Sequence, residues 1–373
     1  MNNTFAKEVS IIVTTHNRPN FLNIFASTLE NLNFGGHLII AESSDIKTYK
    51  QSENYLKQIK KFKITHISVP KKDGESISQS INECFLKGIS KIDTKYSMLT
   101  CDDDIPVPST LEKSQNFLNS NQTYNGICGD YVFFDSDSNF RNSSFGPKLL
   151  IKIIEKFWKL KHGRTRLGLR NLQQISNPIE SNSAEGRLEE YVKSFFHTMF
   201  VLVRSHTHKK IIPSNFKTIT FPHFIADYNW MFTIAITGKI KKITLPQIIR
   251  IHHGENLSSQ DNHPYPTLSD AITESYWGQD SLKFIDNVTE VLKAFSSMPK
   301  RELKNLAREA YLKMIIKRIE WDLDGPFKPN YNKLQKLRNV IVYRLIIFKR
   351  CKIYGQVTKE IIKAMETSQN NNK

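Results

Sequence analysis

Tyr96-Ser97-Met98-Leu99-Thr100-Cys101-Asp102-Asp103-Asp104-Ile105 opens as a strand and closes on three successive carboxylates. An uncharged run of this kind suits a strand covered on both faces, and such strands belong to parallel sheets. Ending a buried strand with three like charges is costly unless a cation offsets them. Oxygen donors suit Mg2+ or Mn2+, ions that commonly bridge carboxylates to substrate phosphates. The alternative is a solvated turn or helix N-cap leading into Pro106-Val107-Pro108, since Asp is favoured at both.

Upstream, Val9–Thr14 is a β-branched run that predicts a first buried strand. It ends in Thr15-His16-Asn17-Arg18-Pro19, a polar turn where Pro can open a helix. Helical spacing over Phe21–Leu32, strands at His37–Ala41 and Ile64–Val69, and a helix at Ile77–Ile89 complete a βαβ rhythm. That rhythm predicts an α/β fold with a mostly parallel central sheet, whose ligands sit at the carboxyl ends of the strands. Downstream, Tyr131–Phe134 and Met199–Val203 read as strands, and Lys148–Lys161 and Arg187–Phe195 as helices. A Pro-containing loop, Asp261–Thr267, precedes a region of helical periodicity. There Leu303, Leu306, Ala310 and Met314 fit one face, and Leu334, Leu337, Ile341, Leu345 and Phe348 another. The predicted division is an α/β domain over 1–260 with a basic helical insertion at 145–195, a helical region over 268–367, and a disordered tail at 368–373.

The 373 residues are 39% hydrophobic, enough for a sizeable core, which excludes wholesale disorder. Charge is uneven within an overall balance of +17. Lys148–Arg170 carries eight Lys/Arg against the single acid Glu155, and Lys333–Lys352 carries seven and no acid. Both segments are amphipathic at helical spacing, so each is either a solvated basic face or a surface that docks on anionic lipid headgroups. No nucleic-acid-binding motif accompanies them, and nucleic acid is not an expected partner. Cys84, Cys101, Cys128 and Cys351 lie far apart and form no CxxC pair, which predicts neither a zinc site nor a disulfide framework. The first residues read as a strand rather than a signal peptide, and the longest apolar stretches are too short to span a bilayer. The expected location is cytoplasmic, with peripheral association at the inner face of the membrane.

In this order and spacing, VSIIVTTHNRPNFL from Val9, LIIAESSD from Leu38 and YSMLTCDDDIPVP from Tyr96 resemble family 2-like glycosyltransferases of the GT-A fold. The resemblance covers residues 8 to 260. It implies a Rossmann-like nucleotide-binding half in which Thr14, Thr15, Asn17 and Arg18 cradle the nucleotide and Glu42 contacts base or ribose. Asp102 and Asp104 match the two carboxylates of the family's DxD motif, which reach ribose and the metal that holds the diphosphate. Asp103 stands between them, on the donor side. The family's Ala-Arg-Asn element is replaced by Gly74-Glu75-Ser76-Ile77-Ser78-Gln79-Ser80-Ile81-Asn82, without an arginine, leaving Gln79 or Asn82 to take part of its place.

Phe224-Ile225-Ala226-Asp227-Tyr228-Asn229-Trp230 resembles the family's acidic element, with Asp227 at the position of the general base. An inverting transfer needs such a carboxylate to take the acceptor hydroxyl's proton. On sequence alone Asp227 also reads as the N-cap of the helix that follows. Arg250-Ile251-His252-His253-Gly254 looks like the closing strand, with the histidine that many such enzymes add to the metal or diphosphate site. Alternation puts His252 and His253 on opposite faces. His16, His197, His206 and His208 read as packing or surface residues.

The resemblance thus implies a Mn2+- or Mg2+-dependent transfer of a sugar from a nucleotide-sugar, a UDP-sugar first, to a glycan or lipid-linked acceptor. A nucleotidyltransferase of related fold is the nearest alternative, although Thr14-Thr15-His16-Asn17 lacks the glycines of its phosphate loop. A non-enzymatic polybasic protein that binds nucleic acid or membrane is the alternative of a different class.

Overall fold

The structure is a computed structural model describing residues 4–75, 77–135, 168–173, 177–194, 198–211, 223–252, 272, 275–324 and, near the C-terminus, 357, 360–361, 363–365 and 367–368. The expected helices at Lys148–Lys161 and over Leu334–Phe348, His197, His253, and thus both basic clusters almost entirely, lie outside them.

Nine strands form one sheet: β1 Val9–Thr15, β2 His37–Glu42, β3 Lys63–Ser68, β4 Tyr96–Cys101, β5 Asp104–Pro106, β6 Tyr124–Asp135, β7 Gly168–Gln173, β8 Leu202–Arg204 and β9 Lys239–His252. Their order is β3-β2-β1-β4-β8-β6-β9-β5, with β7 on the far side of β6. β1, β2, β3 and β4 pair in parallel. Short β8 runs antiparallel between β4 and β6, which restores the direction, and β9 pairs in parallel with β6. Six strands therefore point the same way. Only the three- and six-residue strands β5, β7 and β8 oppose them. This is the mostly parallel, Rossmann-like arrangement expected from the sequence. The continuous apolar runs explain it, for every residue of β1 and β2 is buried.

Eight helices accompany the sheet among the described residues: α1 Pro19–Asn31, α2 Ile46–Leu56, α3 Ile77–Ile89, α4 Pro108–Ser120, α5 Ala184–Ser194, α6 His223–Thr237, α7 Trp277–Lys293 and α8 Lys300–Asp324. Pro occupies the opening turn of α1 and of α4, where its missing N–H costs nothing. Gly88 lets α3 lie directly on β1. A Cβ there would come 2.5 Å from a methyl carbon of Ile12.

The C-terminal helices share this core rather than hanging from it. Tyr191 of α5, Phe232 of α6, Phe284 of α7 and Tyr311 of α8 form a continuous aromatic ladder, with successive centroids 5.1, 5.1 and 5.3 Å apart. On α8, Leu303, Ala310 and Met314 are buried as the spacing predicted, joined by Ala307 and Tyr311, with Leu306 packed at the margin. Ile361, Ala364, Met365 and Ser368 are also buried. Ser368 Oγ accepts a hydrogen bond from Thr28 Oγ1 of α1 at 3.0 Å. Ser368, assigned to the tail by the sequence, is thus packed on α1; the residues after it are outside the described set.

Candidate active site at the carboxyl edge of the sheet

The parallel strands β1, β2, β4, β6 and β9 bring Thr15, Glu42, Cys101, Asp135 and His252 to one edge. Asp102 and Asp103 form a two-residue turn from β4 into β5. Thr100 closes that turn from inside, its hydroxyl donating to the Asp104 carbonyl. Asp102 and Asp104 are buried, 2% and 5% exposed, while Asp103 is less so. The solvated-turn reading of the sequence is thereby overturned for these two carboxylates: the strand ends in the interior.

Two guanidiniums and a hydroxyl meet the three carboxylates. Thr15 Oγ1 donates to Asp102 Oδ2 at 2.6 Å. Arg18 Nη1 lies 2.9 Å from Asp102 Oδ1, and its Nη2 lies 3.4 Å from Asp103 Oδ2. The Arg18 guanidinium also sits 4.2 Å from the centre of the Phe21 ring. From the other side Arg250 of β9 addresses Asp104, with Nε 2.7 Å from Oδ1 and Nη2 3.5 Å from Oδ2. That pair follows from register, because Asp104 faces Arg250 across the antiparallel β5–β9 ladder. Burial still pushes the Asp102 and Asp104 carboxyls above the ordinary range; Arg18 and Arg250 pull back without cancelling it.

The loop after β1 is braced by the loop after β2. Asn17 adopts φ 52°, a left-handed conformation that Asn tolerates better than most residues. Its backbone N–H donates to Ser44 Oγ at 2.6 Å, and its Oδ1 accepts from the Asp45 N–H at 3.0 Å. His16 Nδ1 lies 3.0 Å from both the carbonyl and the hydroxyl of Ser43. Thr14 points at Cys101, with Oγ1 4.0 Å from Sγ. Ser43 and Ser44 carry no sequence signal for this part, since serine after a strand reads as an ordinary turn.

Glu42 is fully buried, and both its oxygens are engaged. Oε1 accepts from Ser52 Oγ at 3.0 Å, and Oε2 pairs with His66 Nε2 at 2.8 Å. His66 in turn stacks on Tyr49, centroids 4.2 Å apart. Asn82 accepts from Trp230 Nε1 at 3.1 Å and thereby joins α3 to α6.

Asp227 is the fifth residue of α6, not its cap, because the helix begins at His223. This corrects the N-cap reading; His223-Phe224-Ile225-Ala226 contains no breaker, so the helix extends back past the expected start. α6 leads through Gly238 into β9, which starts at the amino edge, so the first turns of α6 lie toward the carboxyl edge. The thiol of Cys101 records the result. Burial raises its pKa first, and the negative charges of Asp103, Asp104, Asp102 and Asp227 raise it further.

His252 closes β9 opposite Asp135, and Ile251 N–H donates to the Asp103 carbonyl at 2.8 Å. The backbone before His252 thus runs against the acidic turn; the His252 side chain lies outside the described set. His208 is fully buried with Nδ1 2.7 Å from Ser97 Oγ, and His206 is exposed, as residues of packing and surface should be.

The donor set suits a hard divalent cation. Its atoms are carboxylate oxygens, the donors such ions prefer. Among the described residues no three His, Cys, Asp or Glu side chains already converge as a metal cage.

No family model and no curated protein matches the chain. Among solved structures it is similar to S. aureus TarS residues 1–349, at 11% identity and a TM-score of 0.44, over 86% of this chain and 93% of that one. The same TarS fragment in complex with UDP-GlcNAc gives 12% identity and a TM-score of 0.43, over 86% and 93% of the two chains. Against the longer S. aureus TarS chain the identity is 11% and the TM-score 0.43, over 84% of this chain and 55% of that one.

Proposed function

We propose that this chain is a glycosyltransferase that moves a sugar from a nucleotide-sugar, a UDP-sugar first, to a glycan or lipid-linked hydroxyl. The observation that carries the reading is the buried acidic turn Asp102–Asp104 at the carboxyl edge, faced by Thr15 and Arg18 after β1, with Asp227 in the first turns of α6 toward the same edge. Open α/β sheets bind ligands at this edge. A bound Mg2+ or Mn2+ on the acidic turn would neutralise the leaving diphosphate.

The chain's own residues supply the rest. Thr15 orients Asp102 through a short hydrogen bond, and Arg18 brings a guanidinium suited to phosphate oxygens into the same corner. Asn17 and Ser44 hold that corner in shape. Asp227, half-buried, is the base that takes the acceptor proton as the hydroxyl attacks, which makes the transfer inverting. Glu42 serves the site from behind, since its hydrogen bonds to Ser52 and His66 tie β2 to α2 and β3. His252 stands beside the turn through the Ile251–Asp103 hydrogen bond of its strand.

A panel of nucleotide-sugars with Mn2+ or Mg2+, reading released nucleoside diphosphate, tests this directly. Turnover of at least one donor, lost in EDTA and in Asp102→Asn, is the expected result. Undiminished turnover in EDTA would remove the metal, and silence across the panel with sugar acceptors supplied would remove the transferase.

A further inference from the structure

We propose that the outer face of the α7–α8 hairpin docks on an anionic lipid surface. Six large apolar side chains stand exposed among the described residues: Ile46, Leu282, Phe295, Met298, Leu312 and Ile316. Ile46 opens α2, and the other five all belong to this one hairpin. Exposed apolar residues scattered singly need no account, but their concentration on one element marks an interaction surface.

The face follows from helix geometry. Lys300 reaches Glu290 at 2.6 Å, Lys304 reaches Asp286 at 2.7 Å, and Tyr311 meets Ser281, so α7 and α8 run antiparallel. Ser281 and Tyr311 point at each other between the helices. The next residue on each helix turns by about 100°, and in an antiparallel pair both turn to the same side. Those residues are Leu282 and Leu312, 55% and 50% exposed, and Ile316 follows one turn later at 56%. The opposite side carries Phe284, Ala310 and Met314, all buried. Phe295 and Met298 sit in the connection between the helices. That connection lies about 20 Å along the hairpin from Leu312. A stable protein–protein interface needs about 800 Å² per partner, whereas five partly exposed side chains in two separate spots offer roughly a few hundred. A lipid surface takes such spots separately, because each apolar side chain enters between headgroups on its own.

Charge selects an anionic surface. Residues 278–317 carry eight Lys/Arg against five Asp/Glu. Four of those acids, Asp280, Asp286, Glu290 and Glu309, are each paired with a lysine of the hairpin. Lys293 and Arg301 beside the connection, and Arg308 one turn before Leu312, have no carboxylate partner among the described residues. They flank both apolar spots, and cations bordering exposed apolar side chains are what holds a helix at an anionic interface. These residues are distinct from the basic segments Lys148–Arg170 and Lys333–Lys352.

The test is co-sedimentation of the full chain with vesicles of phosphatidylcholine alone and of phosphatidylcholine mixed with phosphatidylglycerol. The wild type should pellet with the mixed vesicles only, and salt should release it, since attraction to headgroups is screened. Leu312→Ser with Ile316→Ser should weaken that binding roughly tenfold. Arg301→Gln with Arg308→Gln should weaken it about 25-fold, at about fivefold per cation. All four positions are exposed, so circular dichroism and urea unfolding should match wild type. Absence of wild-type binding to the mixed vesicles, or equal binding to both kinds, would overturn the docking. Binding within twofold of wild type in both variants would overturn this face as the docking surface and move the contact elsewhere in the chain. A wild-type dimer in light scattering that Leu312→Ser with Ile316→Ser abolishes would give the face to a second copy instead.

Discussion

His208 should make the protein's stability depend on pH in a direction opposite to its acidic turn. The imidazole is fully buried, its Nδ1 is 2.7 Å from Ser97 Oγ, and burial lowers its pKa from 6.5 to about 3. In the unfolded chain the ring takes a proton below pH 6.5; in the folded chain it does not until about pH 3. A depressed folded pKa contributes stability that is fully present above the unfolded value and is lost as pH falls toward the folded one. The loss runs at about 1.4 kcal/mol per pH unit, so roughly 2 kcal/mol disappears between pH 7 and pH 5. Asp102 and Asp104 act in the reverse sense, because burial raises their folded pKa values and a falling pH relieves them. The wild-type curve alone is therefore a composite. The difference between wild type and His208→Asn isolates the ring, since Asn can still reach Ser97 but does not titrate. Urea unfolding followed by tryptophan fluorescence at pH 5, 6, 7 and 8 measures it. The variant should be less stable at pH 8, from lost packing, and its deficit should shrink by about 2 kcal/mol by pH 5. Parallel curves, with a deficit constant within about 0.5 kcal/mol, would refute the reasoning and place His208 in contact with water.

Two further outcomes are expected. Asp227→Asn should fold normally, because Asp and Asn differ little within a helix, yet lose roughly 10²–10⁴-fold in turnover; near-wild-type turnover would reject Asp227 as base and with it the inverting assignment. Phe284→Ala, in the middle of the aromatic ladder, should cost about 3–5 kcal/mol in urea unfolding and lower the stability of the whole chain in a single transition. Two separated transitions would show instead that α7 and α8 are an independent appendage.

The N-terminal half was legible because buried parallel strands announce themselves as unbroken apolar runs. β1, β3 and β4 each match their predicted run to within a residue or two, and α3 matches to the residue. The gathering of Thr15, Arg18 and the acidic turn follows from the same logic, since parallel strands deliver their carboxyl ends to one edge. What escaped the sequence was long-range pairing. β5 is three residues long and ends in Pro, so nothing local marks it as a strand, and the Asp104–Arg250 pair depends on it. The resemblance offers Glu42 to base or ribose, whereas α2 and β3 bring Ser52 and His66 over both its oxygens, a pairing nothing local in the sequence marks. Asp227 was placed on the wrong turn of its helix because α6 is apolar all round and shows no period from which to read a start.

The docking of the last described residues on α1 bears on how the protein is made. Thr28 and Ser368 are 340 positions apart, yet share a buried hydrogen bond, and Met365 Sδ also receives the Thr28 hydroxyl at 3.6 Å. On the ribosome, α1 emerges long before its covering. At about 5–20 residues per second the interval is roughly 17–70 s. Throughout it the face of α1 around Thr28 lacks its final cover, so this contact closes last, after the sheet beneath it can already have assembled.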